Sequence, residues 1–137
     1  MRSTRRSLAL LAAVAVCATA CSKDKEVLGF VAEFDTFSAE IVKQVKQASN
    51  PSTGVDAAQA YLDGNKARIK QGLDSIKSVK NFQISDETKK KVEQSLTKDA
   101  TAVAGLEMDY VMQMATDQAF RKKLEKLVAD YRDVVAQ

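Results

Sequence analysis

The fold depends first on residues 27–48, which read VLGFVAEFDTFSAEIVKQVKQA. Apolar side chains recur here at steps of three and four residues, the spacing of one face of an α-helix. That face consists of Val27, Phe30, Phe34, Phe37, Ile41, Val45 and Ala48. The stretch therefore predicts an amphipathic first helix from about Lys25 to Ala48, with three phenylalanines in a hydrophobic core.

A turn follows this helix at Pro51, which lacks an N–H group and disfavours helix at the residue before it. We expect the second helix to begin at Gly54, with Thr53 as its N-cap, and to end near Val79. Residues 63–65, Asp-Gly-Asn, are a turn signal inside this helix. Because the apolar stripe keeps its phase across them, one continuous helix is predicted.

Ser85 is predicted to cap a third helix, after a loop in which Phe82 closes one end of the core. The helical phase restarts near residues 115–117, where Thr116 or Asp117 would cap a fourth helix. Four helices with short loops predict an all-α fold, an antiparallel up-down four-helix bundle. If residues 115–117 do not form a turn, the third and fourth helices merge, and the alternative is three long helices.

The chain begins with a basic segment and a short apolar run. Arg2, Arg5 and Arg6 precede 13 residues from Leu8 to Ala20 that carry no charge. A membrane-spanning helix needs roughly 20 apolar residues, so this run indicates an export signal that is removed. The end of the run, Ala18-Thr19-Ala20-Cys21, resembles the lipobox of bacterial lipoproteins, with Ala18 where that class prefers Leu.

The resemblance implies cleavage between Ala20 and Cys21, with Ala18 and Thr19 as the preceding recognition residues. It also implies a diacylglyceryl group on the sulfur of Cys21 and a fatty acyl chain on its new amino group. Two or more chains hold a protein stably on a bilayer, because each buried CH₂ contributes ~0.8 kcal/mol. The alternative is ordinary signal cleavage after Ala18 or Ala20, which would leave Cys21 as a free thiol.

These expectations divide the chain into a signal peptide (1–20), a lipidated tether (21–25) and a helical bundle domain (26–137). In the lipoprotein class, Ser22 after the lipidated cysteine implies sorting to the outer membrane, with the domain facing the periplasm. The alternative location is another membrane or surface face of the cell. Apart from the covalent lipid, no cofactor is expected.

The net charge of +3 arises entirely in the signal segment. Without its three arginines, the 21 Lys and Arg residues become 18 and equal the 18 Asp and Glu residues. The balance predicts no nucleic-acid partner, since such proteins carry a basic face. The chain has no His, and Cys17 leaves with the signal. A His-dependent catalytic pair or metal site is therefore excluded, and we predict a protein that is not an enzyme and binds no metal.

Four polar residues lie on or near the apolar seams: Ser38 of the first helix, Asn65 and Lys66 of the second, and Asp99 of the third. If consecutive helices are antiparallel neighbours, Lys66 lies beside Asp99 and Asn65 lies level with Ser38. The sequence thus predicts a polar layer at mid-bundle. Such a layer either fixes the register of the helices or forms a small-ligand site. In a further alternative, the methylene groups of Lys66 cover apolar surface while its ammonium group reaches water.

A second apolar stripe lies on the third helix, roughly opposite its core stripe. It consists of Thr101, Ala104, Met108, Met112 and Ala115. A helix that is apolar almost all round is either deeply buried or bound to a partner, and methionine-rich surfaces suit adaptable binding. The stripe is therefore a candidate partner-binding face; the alternative is that it is wedged between neighbouring helices.

Together these features predict a membrane-anchored, non-enzymatic helical lipoprotein that contacts the lipid bilayer through Cys21. Its domain is expected to bind another cell-envelope protein, in an assembly, adaptor or structural role. The alternative is a small-ligand-binding periplasmic lipoprotein that uses the bundle interior.

The anchor assignment predicts that cells fed labelled palmitate incorporate the label into this protein at Cys21. Cys21→Ser should abolish incorporation, because the sulfur that accepts the diacylglyceryl group is removed. Cys17→Ser is the matched control and should leave incorporation unchanged. Label that persists in Cys21→Ser would refute the assignment.

Overall fold

The structure, a computed structural model, describes residues 23–136. The predicted cleavage residues Ala18, Thr19 and Ala20 and the predicted lipidation site Cys21 lie outside this range. Within it the chain forms five α-helices and one 3₁₀ turn, and no strand. The helices are α1 (Asp24–Gln47), α2 (Pro51–Ser78), α3 (Asp86–Asp109), α4 (Val111–Thr116) and α5 (Gln118–Val135), and the 3₁₀ turn is Asn81–Gln83. The prediction of an all-α fold is confirmed.

The start of α2 differs from the prediction by three residues. The side chain of Asn50 caps this helix by accepting from the backbone N–H of Ser52 at 2.8 Å. Pro51 occupies the first helical position, where a missing N–H costs nothing and the fixed φ is already helical. Thr53, the predicted cap, lies inside the first turn and donates its hydroxyl to the carbonyl of Asn50 at 2.8 Å.

The predicted start of the third helix agrees with the structure, but its end does not: α3 ends at Asp109, well before residues 115–117, and the short α4 makes five α-helices in residues 23–136 where four were predicted. The helix α2 is continuous through residues 63–65. The hydroxyl of Ser85 caps α3 by accepting from the backbone of Thr88 at 3.2 Å. The carboxylate of Asp117 caps α5 in the same way, at 2.9 Å from the nitrogen of Phe120. Two interruptions, at Tyr110 and at Asp117, separate α3 from α5, so the alternative of one merged rod is not observed.

The order of neighbours in the bundle differs from the simple antiparallel arrangement. The helix α1 packs against both α2 and α3, and α5 also packs against α2 and α3. Where α1 begins, the backbone N–H of Lys23 donates to the backbone carbonyl of Gln83 at 2.8 Å. Where α1 ends, the ammonium group of Lys46 pairs with the carboxylate of Asp109 at 2.6 Å. The helices α1 and α3 therefore lie side by side and run in the same direction.

The helices α2 and α5 form the second parallel pair. Asp56 pairs with Lys123 at 2.6 Å, and one turn further along α2 Gln59 bonds to Asp130 at 2.7 Å. The expectation that each long helix packs against the next long helix of the chain holds for α1 with α2 and for α3 with α5. It does not hold for α2 with α3, which make no extensive contact within residues 23–136.

The core is centred on aromatic side chains of α1. Phe34 and Phe37 are fully buried, and Tyr131 of α5 stacks on Phe37 with ring centroids 6.0 Å apart. Tyr61 of α2 also stacks on Phe37, with ring centroids 5.8 Å apart. The prediction that the phenylalanine stripe forms a core is confirmed. The expectation for Phe82 is wrong, because this side chain is 82% exposed.

No helix in residues 23–136 combines the length and the apolar character that crossing a membrane requires.

Two glycines of α2 provide a matched test of the α1–α2 packing. A Cβ at Gly54 would lie 2.6 Å from the carbonyl oxygen of Gln44 and 2.7 Å from the Cβ of Ala48. A Cβ at Gly64 would meet nothing within 4 Å. We expect Gly54→Ala to lower the free energy of unfolding by about 1–3 kcal/mol, because backbone atoms cannot move aside.

Gly64→Ala should instead raise the free energy of unfolding by about 0.5–1 kcal/mol, since alanine is the better helix former. Denaturant midpoints measured by circular dichroism compare the two variants. Equal stabilisation by both substitutions would contradict the close approach of α1 to α2.

Candidate functional site

The predicted polar layer is only partly assembled. Ser38 and Asp99 are buried, and both line a groove of about 620 Å³ between α1 and α3. Asn65 is half-buried, and its amide donates to the carbonyl of Tyr61 on its own helix at 2.8 Å. Lys66 is exposed and pairs with Asp63 at 2.8 Å.

The prediction that Asn65 and Lys66 join Ser38 and Asp99 is therefore wrong. It assumed that α2 and α3, being consecutive, are neighbours. In the structure α3 packs against α1 and α5, so no side chain of α2 is brought beside Asp99 at this level. Asn65 and Lys66 satisfy their polar groups within their own helix.

The neighbour of Asp99 across the interface is Asp35 of α1, which is not among the predicted site residues. The Asp35 carboxylate accepts from the hydroxyl of Ser95 at 2.5 Å and from the ammonium group of Lys98 at 3.0 Å. Lys98 also lies 3.4 Å from Asp99. We call Asp35 and Asp99 the carboxylate pair. A signal was present in the sequence, because Asp35 stands between core positions Phe34 and Phe37.

Asp99 is the unusual member of the carboxylate pair. It is 4% exposed, and its Oδ2 atom has no hydrogen-bond partner among the described residues. Burial raises the pKa of Asp99 to about 6, and the neighbouring Asp35 carboxylate adds to the increase, while Lys98 opposes it. Desolvation also acts to raise the pKa of Asp35, but the hydrogen bonds from Ser95 and Lys98 outweigh it and hold that pKa below its ordinary value.

Ser38 takes part in a separate hydrogen-bond chain that reaches across the bundle interior. Its hydroxyl donates to the carbonyl of Phe34 at 3.0 Å, which uses its only proton. The hydroxyl of Tyr131, 2.7 Å away, must therefore donate to Ser38. Burial raises the pKa of Tyr131, so this phenol stays neutral. The pair satisfies two buried hydroxyls and links α5 to α1.

Within residues 23–136 no group of three or more acidic or sulfur ligands is arranged to hold a metal ion. The groove beside the carboxylate pair is also lined by the cationic side chains of Lys43 and Lys46.

The second predicted site, the apolar stripe expected on the third helix, is divided in the structure: Met112 and Ala115 lie on α4 and the other members on α3. Met108 and Met112 are 75% and 78% exposed. Thr101 and Ala115 are also exposed, and Ala104 is half-buried. The two methionines are therefore not wedged between neighbouring helices, as the alternative would require.

Val111, which is 53% exposed, extends this surface and was not included in the predicted stripe. Its spacing from Met108, one helical turn, was the available signal. We call Met108, Val111 and Met112 the methionine tip. Because α1 and α3 run in parallel, the tip lies at the end of the bundle where α1 ends, away from Lys23.

Comparison of the chain with protein-family models, with curated proteins and with solved structures finds no match.

The carboxylate pair predicts a specific dependence of stability on pH. The pKa of Asp99 is raised in the folded state, so its favourable contribution is complete below the ordinary pKa of 3.8 and is lost as the pH rises through about 6. Between about pH 4 and pH 7 the contribution of Asp99 to the free energy of unfolding should therefore fall by about 1–2 kcal/mol. The pKa of Asp35 is lowered, so Asp35 stabilises the folded state at higher pH and loses this effect only below about pH 3.8.

Asp99→Asn should remove this decrease. The stability of the variant relative to the wild type should therefore be higher at pH 7 than at pH 4. Urea unfolding at a series of pH values measures the effect. Asp74→Asn, at an exposed position of α2, is the matched control and should keep the wild-type profile. Superimposable profiles for Asp99→Asn and wild type would contradict the interpretation.

Proposed function

We propose that this protein is a membrane-anchored, non-enzymatic lipoprotein whose helical domain binds another cell-envelope protein through the methionine tip. The lipid on Cys21 holds the chain to the outer membrane, and the domain faces the periplasm. The observation that carries the proposal is the exposure of three large apolar side chains on one short segment; the other exposed large apolar side chain among the described residues is Phe82, in the loop between α2 and α3.

The chemistry of the tip suits a protein surface. Two methionines and a valine offer apolar area without a fixed shape, because the methionine side chain has three rotatable bonds and a polarizable sulfur. A cleft of about 400 Å³ adjoins the tip, and its rim includes Glu107, Arg121 and Glu125. An apolar centre with a charged rim is the common composition of a protein interface.

The position of the tip also supports the proposal. The lipid would be attached two residues before Lys23, at the end of the bundle where α1 begins. The helix α1 has 24 residues, so the tip lies ~36 Å along the bundle axis from that end. A domain held to the membrane at one end would present the other to proteins in the periplasm.

Photocrosslinking in the native host tests the proposal. A photoreactive phenylalanine analogue at Met112 should yield one discrete adduct with another envelope protein, and Met108→Lys in the same chain should reduce its yield at least tenfold. The analogue at Phe82, which is equally exposed but lies in the loop between α2 and α3, is the matched control and should give no such adduct.

Three outcomes would contradict the proposal: the same adduct from both positions, an adduct whose mass is that of two copies of this chain, or no adduct at Met112. Circular dichroism of Met108→Lys separates a lost interface from a lost fold. A collapsed helical signal would mean that the tip is part of the core.

A further inference from the structure

A largely enclosed cavity of about 160 Å³ lies between α1, α2 and α3, at the end of the bundle where α1 begins. Its walls are apolar side chains from all three helices: Phe30 and Val31 of α1, Leu73 and Ile76 of α2, and Val92 and Leu96 of α3. This cavity is separate from the groove beside the carboxylate pair and from the methionine tip.

The cavity offers water almost nothing to bind. Ser95 is one of two polar residues at its wall, and the hydroxyl of Ser95 already donates to Asp35 at 2.5 Å. The other is Lys77, which is exposed and so has its ammonium group in solvent. Buried water requires two to four polar partners, and apolar cavities of about 150 Å³ stay dry and bind small hydrocarbons.

The size and the rim of the cavity define the ligand. A water-sized group occupies roughly 30 Å³, so a cavity of about 160 Å³ has room for about five such groups, as many as the carbons of a short alkyl chain. Lys77 stands at the rim and forms no ion pair within residues 23–136. Its ammonium group is therefore available to an anionic headgroup that remains in water while the chain is buried.

We propose that this cavity between α1, α2 and α3 binds the alkyl chain of a short-chain carboxylate, with the headgroup at Lys77. The site is independent of the partner-binding function, because it lies at the opposite end of the bundle. The apolar walls select the chain, and the charge of Lys77 selects the carboxylate over a neutral or cationic headgroup.

A chain-length series measured by NMR on the wild-type protein tests the site. Each CH₂ that enters an apolar cavity contributes ~0.8 kcal/mol, which corresponds to about a fourfold gain in affinity. Titration with butanoate, pentanoate and hexanoate should therefore show about fourfold steps, and longer chains should gain little once the cavity is full. The methyl resonances of Val31, Leu73 and Leu96 should move.

Substitutions then distinguish the contribution of the cavity walls to binding from that of Lys77 at the rim. Val92→Phe, or Val31→Phe from the opposite wall if the first variant folds poorly, should fill the cavity and weaken hexanoate binding at least tenfold. Val111→Phe at the methionine tip is the matched control and should bind as the wild type does. Lys77→Met should weaken hexanoate binding and leave the affinity for hexan-1-ol unchanged.

Hexanoate that moves no cavity methyl resonance, or that moves those of the methionine tip instead, would overturn the proposal. So would an affinity that does not depend on chain length, or one that survives in a folded cavity-filling variant.

Discussion

Burial of the aromatic face of α1 is the interaction on which the positions of the other helices depend. Phe34 and Phe37 are fully buried, and their ring contacts reach Tyr61 of α2 and Tyr131 of α5. Each fully buried side chain of this size contributes roughly 1.5–3 kcal/mol. Because one helix supplies this face, α2 and α3 both pack against α1 rather than against each other.

The polar groups inside the bundle follow from this arrangement. The hydroxyls of Ser38 and Tyr131 satisfy each other only because Tyr131 reaches α1 from the far side of the core. The carboxylate pair exists only because α3 lies parallel to α1, which brings Asp99 opposite Asp35. Buried charge is weak evidence for added stability. The stronger effect of the pair is to fix the level of α3 along α1, since Ser95 and Lys98 bind Asp35 at one register.

The two ends of the bundle differ in chemistry for a structural reason. Where α1 begins, three helices meet without filling the space between them, and the apolar cavity results. Where α1 ends, the chain breaks at Tyr110 and forms the short α4 before α5 starts. Tyr110 turns inward, its ring 5.5 Å from that of Phe120, and Met108, Val111 and Met112 are left outside. The enclosed cavity and the exposed tip are thus properties of how the helices join.

The amino-acid sequence determined the helices themselves. The period of the apolar residues predicts α1, Ser85 predicts the start of α3, and the alternatives Thr116 and Asp117 predict the start of α5 within one residue, because caps and amphipathic faces are local in the chain. Two boundaries differ from the prediction. Pro51 begins α2 where only a turn was predicted, and the break at Tyr110 divides the predicted third helix into α3 and α4.

Only the tertiary structure decided which helices are neighbours. Sequence periodicity identifies a buried face but not the helix that covers it. The sequence therefore predicts Lys66 beside Asp99, whereas the neighbour of Asp99 across the interface is Asp35. The same reason explains why Val111 was missed and why Phe82 was expected in the core. Whether an apolar side chain is buried depends on what packs over it, and that information is distributed over the whole chain.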